Sequence, residues 1–407
     1  MKKNVYIYGG IAIFIIVVFL VSINHDDSET VEEIIEKENV SILIPCDNSI
    51  IVESFEKICE KYETENNIEI DIIKVHIDNF KKYLLTAQEN DELPDIIICN
   101  NTYMPSLIKI GIFSDTKIYM QDDYERVFSS FALDSCRKDG KSYGVPLIID
   151  PYVLYSNDDR LKQFNQHVPE DFESLLDVAM NTNQFPTDGI GISLASNQLV
   201  TNFFLQFFYS TGDSIRTLKS DGGKKVFDLL RDMVANNLIS PESIYWNEND
   251  MVRGFLNNEF TMFVGSLSSS IIIDKSSEHI DANITSVPYD KKQVWLVKGY
   301  NIGLSADCNN SRALEILEYL ISREGIADLA SMTNTIGTRV DTPYVNEYDI
   351  DISLTDNRMV IERFNNWFEI SNHIGESMYQ LIIDKDNNVE SNLNELQNSV
   401  RLDIIND

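Results

Sequence analysis

Cysteine, histidine, tryptophan and proline are all scarce in this chain of 407 residues, which has five Cys, five His, three Trp and ten Pro. Cys46, Cys59, Cys99, Cys136 and Cys308 form no CxxC pair and have no histidine nearby at ligand spacing. That excludes a readable zinc site and a dense disulfide framework. Free thiols buried in the core are expected, with Cys46 and Cys99 as small residues at the ends of apolar runs. No tract rich in Pro, Gly or Ser is long enough for a collagen-like, mucin-like or disordered chain. Basic residues are few as well: 33 Lys plus Arg face 65 Asp plus Glu, for a formal net charge of -32. A nucleic-acid backbone is held by clustered cations that displace counterions, so no nucleic acid is expected as partner, and an anionic membrane surface is disfavoured.

Catalytic signatures are missing too. There is no HExxH, no GxSxG and no P-loop. Gly222-Gly223-Lys224 lacks both the upstream glycine and the Ser/Thr, and Gly189-Ile-Gly191 reads as a turn into Ile192-Ser193-Leu194. A glycosidase needs an acid and a nucleophile, but an acidic chain offers many carboxylate pairs and the sequence singles out none. Asp384, Asp386, Asn388, Glu390 and Glu395 have the spacing of a calcium loop, yet Val389 stands where such a loop needs glycine. The missing glycine weighs against calcium there. No metal, no cofactor and no catalytic residue are expected.

The chain does have apolar content, 43% of its residues, and a length beyond the ~100–200 residues of one domain, so two packed lobes or one large α/β body are expected. At its start, Lys2 and Lys3 precede an uncharged run from Val5 to Ile23, followed by His25, Asp26 and Asp27. About twenty apolar residues can cross a hydrocarbon core of ~30 Å, with the positive flank inside. Residues 1–24 are therefore a membrane anchor or signal segment. The absence of an Ala-x-Ala site favours an uncleaved anchor over a cleaved signal. Residues 25–38, with SETVEEIIEKE, read as a charged linker.

Beyond the linker, periodicity alternates between two and 3.6. Val40–Pro45, Ile68–Val75 and Pro94–Ile98 read as strands, and Ser49–Tyr62, Asn79–Glu89 and Met104–Ile110 as helices, the last closed by Gly111. Strands separated by single helices imply a parallel sheet whose ligands lie beyond the carboxyl ends of strands. Two extended runs flank Asp150-Pro151-Tyr152. Helices are expected at Phe172–Asn181, Leu199–Ser210, Lys224–Asn236 and Asp250–Asn257, and strands at Phe260–Val264, Asn283–Val287 and Val294–Leu304. The last third reads as helices at Arg312–Ser322, Glu324–Met332, Asn357–Ile370, Gly375–Ile383 and Glu390–Leu402.

The order of segments resembles the extracellular solute-binding proteins of ABC importers, in particular those that bind sugars and oligosaccharides. Pro94-Asp-Ile-Ile, then a helix, then Gly111-Ile-Phe-Ser-Asp115 is similar to that family's "PDI, helix, G-x-hydrophobic-x-D". Tyr143-Gly144-Val145-Pro146, followed by Val153-Leu-Tyr-Ser-Asn-Asp158, resembles its "YGVP, VLYYNKD" crossover, with Ser156 in place of the second Tyr. Val168-Pro169 to Leu175, Phe255 to Gly265, and Val389-Glu390 to Gln397 are similar to three further segments, so the resemblance spans residues 40–403.

The resemblance implies an α/β, two-lobed periplasmic-binding-protein-like fold with a hinge. Lobe 1 would take 39–150 plus 298–340, and lobe 2 would take 151–297 plus 341–407. It implies a monomeric binding protein, not an enzyme, at the outer face of the cell membrane. Such a protein captures a small ligand, a saccharide by inheritance, and delivers it to ABC permease subunits. A ligand-sensing ectodomain for a partner signalling protein is the alternative on the same fold. Carried over by position, the ligand residues would be Asp47, Asn48, Asn101 and Tyr103, then Asp150 and Tyr152 at the crossover, then Asn197, Asn202, Ser266 and Tyr300. The family often stacks a Trp on the sugar two residues after the glycine of the Met262 strand. Leu267 stands there, and a second stacking position falls near Asn372-His373.

Overall fold

The computed structural model describes residues 39–46, 48–118, 120, 124–195, 197–277, 280–342, 359–360, 363–383 and 388–405. The expected anchor and linker, Asp47, Asp384 and Asp386 lie outside the described residues. Among the described residues no helix is long and apolar enough to cross a membrane, and no group of three His, Cys, Asp or Glu is placed to hold a metal ion.

The chain begins as its periodicity predicts. Strand β1 (Asn39–Pro45) leads to helix α1 (Ser49–Asn66), β2 (Glu69–Val75), α2 (Ile77–Glu89), β3 (Ile96–Asn100) and α3 (Met104–Lys109). The side chain of Asn48 caps α1 by accepting from the amides of Ile50 and Ile51, two donors that have no partner inside the helix. Ile51, Phe55, Ile58 and Tyr62 then form a buried stripe at helical spacing, and the helix stops at Asn67 in the left-handed region (φ 49°). β1 pairs parallel with both β2 and β3.

The parallel expectation ends there. β4 (Val145–Asn157) is one buried strand of 13 residues running straight through Asp150-Pro151-Tyr152, and the two expected runs are its two ends. The chain continues through α4 (Phe172–Thr182), β5 (Asp188–Gly191), α5 (Asn197–Ser210), α6 (Asp221–Ala235), α7 (Glu248–Leu256), β6 (Phe260–Ser266) and β7 (Ala282–Thr285) to β8 (Trp295–Leu304). The Gly189–Gly191 stretch is thus a strand, paired parallel with β6, and not a turn. Glycine is required at Gly189 because a side chain there would strike the backbone of Ala179.

The first part of β4 pairs antiparallel with β8, and its second part pairs antiparallel with β6 and β7. β8 in turn pairs antiparallel with β3. The result is one ten-stranded mixed sheet in the order β2-β1-β3-β8-β4-β6-β5. Because β4 and β8 belong to both halves of the sheet, they are the crossing strands. Beyond β8 lie α8 (Ser311–Leu320), α9 (Arg323–Thr333), β9 (Ile336–Gly337), β10 (Met359–Val360), α10 (Trp367–Ile383) and α11 (Val389–Ile405). β9 joins β4 and β10 joins β8. Two corrections fall here. The expected helix 357–370 forms only from Trp367 onward, with strand β10 (Met359–Val360) before it, and it runs without a break through the expected helix 375–383 as α10, with Gly375 inside it where a side chain would meet Asn197. Cys46 is exposed, whereas Cys59, Cys99 and Cys136 are buried as expected.

Three cores underlie the sheet, and one of them spans both halves. α1, α8 and α9 pack over β1 and β3 around Phe55, Ile316 and Leu329, while α7 packs on β6 around Phe255, Phe260 and Phe263. A third core joins α5, α6, α10 and α11 through Phe204, Phe227, Trp367 and Leu393.

Candidate functional site

Where the two halves meet, β4 and β8 place Asp150 and Lys298 as cross-strand partners. A register shift in β8 follows directly, between Tyr300 and Asn301, the kind of irregularity that re-aims a side chain. Lys298 donates to Oε2 of Glu248 at 3.0 Å, and the two side chains are only 3% and 6% exposed. Glu248 is the first residue of α7, where a carboxylate favours the positive end of the helix. Its Oε2 also accepts from Ser266 Oγ at 3.2 Å and from Asn48 Nδ2 at 3.5 Å. Its Oε1 accepts from the Tyr152 hydroxyl at 3.4 Å, and Asn202 donates to that hydroxyl at 3.0 Å. Asp150 accepts from Ser268, through the amide at 2.9 Å and the hydroxyl at 2.6 Å. Asn48, at the end of the first half, reaches the same Ser268 Oγ at 2.9 Å.

Burial sets the electrostatics of this cluster. It pushes the Asp150 carboxyl up to about 6, against the opposing pull of Lys298 and of the Ser268 donors. The Tyr152 hydroxyl is raised further, first by burial and then by the Glu248 charge. Beside the cluster is an enclosed void of about 10 Å³, bordered by Asn100, Asn101, Gln198, Asn202 and Lys298. The side-chain oxygens of Asn100 and Asn101 are buried there with no hydrogen-bond donor, although Asn101 Nδ2 donates to the Val297 carbonyl.

Gln198 separates this void from a much larger, open cavity of about 680 Å³. One wall of the cavity comes from α2 and Tyr103, and the other from Leu194, Ala195, Asn197 and Gln198 and the face of α10 bearing Phe368, Asn372 and Tyr379. The Tyr103 and Phe368 rings lie 4.3 Å apart between centroids, and Lys81 sits 4.9 Å from the Phe368 ring centre while pairing with Glu369 at 2.6 Å. Asn197 donates to Asn372 at 3.2 Å across the rim. Asp78 and Glu369 balance Lys81 and Lys82, so the lining is neutral overall. Aromatic faces beside amides and hydroxyls suit a polar ligand with flat apolar ring faces. The two regions are joined by hydrogen bonds: Trp367 Nε1 and Ser371 Oγ donate to Gln198 Oε1, and Gln198 Nε2 donates to Asn202 Oδ1.

Of the residues expected from sequence, Asn48, Asp150, Tyr152, Asn202 and Ser266 converge on the buried cluster. Asn101 borders the void, and Tyr103 and Asn197 line the cavity. Tyr300 is fully buried in the core of the first half and offers no face to the cavity. Leu267 is core too. Sequence reasoning missed Glu248, Ser268, Lys298 and Gln198. Lys298 left a signal, since it is the one charge in the otherwise uncharged run WLVKGYNIGL, and a charge inside a buried strand must be paired. Glu248 left none among so many exposed carboxylates.

A family profile described as bacterial extracellular solute-binding protein matches residues 57–348. A putative binding protein of Brucella abortus (strain 2308) is 20% identical over 282 residues, covering 66% of this chain and 69% of its own. Among solved structures, an ABC transporter solute-binding protein from Thermotoga lettingae bound with α-D-tagatose superposes with a TM-score of 0.79 at 17% identity, over 90% of this chain and 100% of its own. Maltose-bound MalE3 of T. maritima superposes with a TM-score of 0.80 at 15% identity, over 89% of this chain and 99% of its own.

Proposed function

The chain belongs to the bacterial extracellular solute-binding protein family, and from that premise we propose that it captures a saccharide between two hinged lobes and passes it to an ABC permease. The observation that carries this reading is the 680 Å³ cavity, with Tyr103, Phe368 and Tyr379 beside Asn197, Gln198 and Asn372. A pyranose presents just this duality, with apolar ring faces for aromatic side chains and equatorial hydroxyls for amides. Two fold relatives support it, since their structures hold tagatose and maltose.

In this reading lobe 1 comprises 39–150 plus 298–340 and lobe 2 comprises 151–297 plus 341–407, with β4 and β8 as the hinge. Asn101, Tyr103 and Asn197 act from the cavity and void. Asn48, Asp150, Tyr152, Asn202 and Ser266 act at the base of the cleft, in contact with ligand once the lobes part. Hinge closure of this kind requires elements that can separate without unfolding, and the contacts from Asn48 and Ser49 to Ser268, Glu248 and Asn249 are few and polar. The family is extracellular. Residues 1–24, with Lys2 and Lys3 ahead of the apolar run, support a tether that keeps the body at the outer face of the membrane.

A thermal-shift screen of the full chain against mono- and oligosaccharides tests the reading. A ligand at 100 times its dissociation constant adds about 2.7 kcal/mol of stability. A melting shift with a saccharide, absent with amino acids and dipeptides, is the expected result. A panel in which only peptides shift the protein would sink the proposal.

A further inference from the structure

Along α10 the cavity-lining positions Phe368, Asn372 and Tyr379 fall at i, i+4 and i+11, on one face of the helix. That spacing puts Phe368 and Tyr379 about 16 Å apart along the helix axis, roughly three turns. The facing wall has a similar extent, since Ile77, Lys81 and Leu85 of α2 line it over about 12 Å. Between the two rings the wall is amide: Asn197 donates to Asn372 at 3.2 Å and fills the space left by the missing side chain of Gly375. One turn further along α5, Thr201 Oγ1 donates to the Ser371 carbonyl at 2.9 Å, so α5 and α10 run antiparallel here. Leu194, which precedes α5, therefore falls on the Tyr379 side, and its amide donates to the Ser243 carbonyl at 3.1 Å, next to the lining residue Ile244.

Each end of the cavity thus offers an aromatic ring with apolar neighbours, Phe368 with Tyr103 and Tyr379 with Leu194 and Ile244. Tyr379 is 41% exposed, whereas Met378 and Leu381 beside it on α10 are buried, so its ring is not part of the core. A tyrosine in that position offers rigid contact area at little cost in side-chain entropy. A pyranose is no longer than one helical turn, ~5.4 Å. A single sugar ring therefore covers one of the two platforms and cannot touch the other. We infer that Tyr379 forms a second ring-binding subsite that reads ligand length, so that the receptor selects a linear oligosaccharide of about three or more units over mono- and disaccharides. The inference rests on the saccharide reading of the cavity and adds the length of the ligand, which volume alone leaves open. The terminal units lie on Phe368 and Tyr379, and the unit between them lies over Asn197 and Asn372, whose amides suit its hydroxyls. A shorter ligand engages one platform and leaves the other ring facing water.

Isothermal titration of the full chain with oligomers of one to five units tests this, in three series: α-1,4-linked glucose, β-1,4-linked glucose and β-1,4-linked xylose. In the series that binds, affinity is expected to rise roughly tenfold from two units to four, the upper end of what one aromatic contact contributes. Tyr379→Ala is expected to remove most of that rise, and Tyr379→Phe, which keeps the ring, to retain it. A mono- or disaccharide that binds as tightly as its tetramer overturns the inference and leaves the saccharide reading standing. So does a rise with length that survives Tyr379→Ala unchanged, since the added units would then be held elsewhere. Silence from all three series at every length sinks the inference together with the saccharide reading. The length series is measured on the unaltered protein, so a misfolded variant would not blunt it.

Discussion

At the mouth of the cavity, Lys81 and Glu369 pair with 32% and 45% of their side chains exposed, while at the base of the proposed cleft Lys298 and Glu248 pair with 3% and 6% exposed. The two contacts are the same chemistry in different solvents. At the mouth, either partner can be rehydrated if the other leaves, so the pair is worth little and its use is to shape the wall and hold the Phe368 ring. At the base, neither charge can be rehydrated without parting the lobes, so each must be matched, and losing one partner exposes the full desolvation cost of the other. The lesson is that one pair of side chains is a replaceable surface contact at the mouth and an obligatory match where it is buried.

The largest test of that contrast is Lys298→Met. It leaves two buried carboxylates without a cation and should cost ~3–5 kcal/mol of unfolding free energy in urea titrations. A loss no greater than that of a surface pair would mean water reaches the cluster. Next comes the pH profile. The Asp150 carboxyl sits at about 6 in the folded protein against 3.8 for the free group, so between those values the folded protein holds a proton that the unfolded chain has released. Its stabilising contribution is fully present below pH 3.8 and is lost as pH rises through 6. Melting temperatures of Asp150→Asn should accordingly fall less than those of the parent between pH 4 and pH 6.5. Glu248, Lys298, Tyr152 and Ser268 all face this group. Asp188 is raised to about 6 as well, chiefly by burial and then by Glu259, so Asp188→Asn is the needed control.

Smaller effects belong to the mouth. Phe368→Ala removes the ring beside Tyr103 and Lys81 and should weaken saccharide binding by ~0.5–1.5 kcal/mol in calorimetry, roughly threefold to tenfold. Lys81→Met should be the mildest change, at ~0–1 kcal/mol in stability, and its effect should shrink further at high salt. If Lys81→Met proved as costly as Lys298→Met, the distinction between mouth and base would fail.

Much of the first half was legible because local patterns and tertiary demands coincide there. The apolar stripe of α1, the Asn48 cap and the alternation of β1 and β2 each bury one face, and periodicity reports faces. β4 was read as two runs because a Pro after an Asp ordinarily breaks a strand. Here Pro151 falls where the strand passes from one half of the sheet to the other, opposite Val297. Residues 189–191 were read as a turn because glycine permits turns, whereas these glycines are needed for close approach of Ala179 and of Met251 and Phe260. Ten positions were named for the ligand on the order of motifs. The cluster drew in five of them because the middle of β4, the end of β6, the N-terminus of α1 and one face of α5 meet at one place.

The charge balance, the alternation of strand and helix and the succession of motifs are properties of the linear chain, and by themselves they determined the fold class and the solute-binding family. Which of the many carboxylates would be buried against Lys298 was decided only by tertiary structure. Glu248 lies 50 residues from Lys298 and is chemically indistinguishable, in sequence, from its solvated neighbours. Burial and pairing are functions of distance in space, and that distance exists only once β4, β6, β8 and α7 have packed.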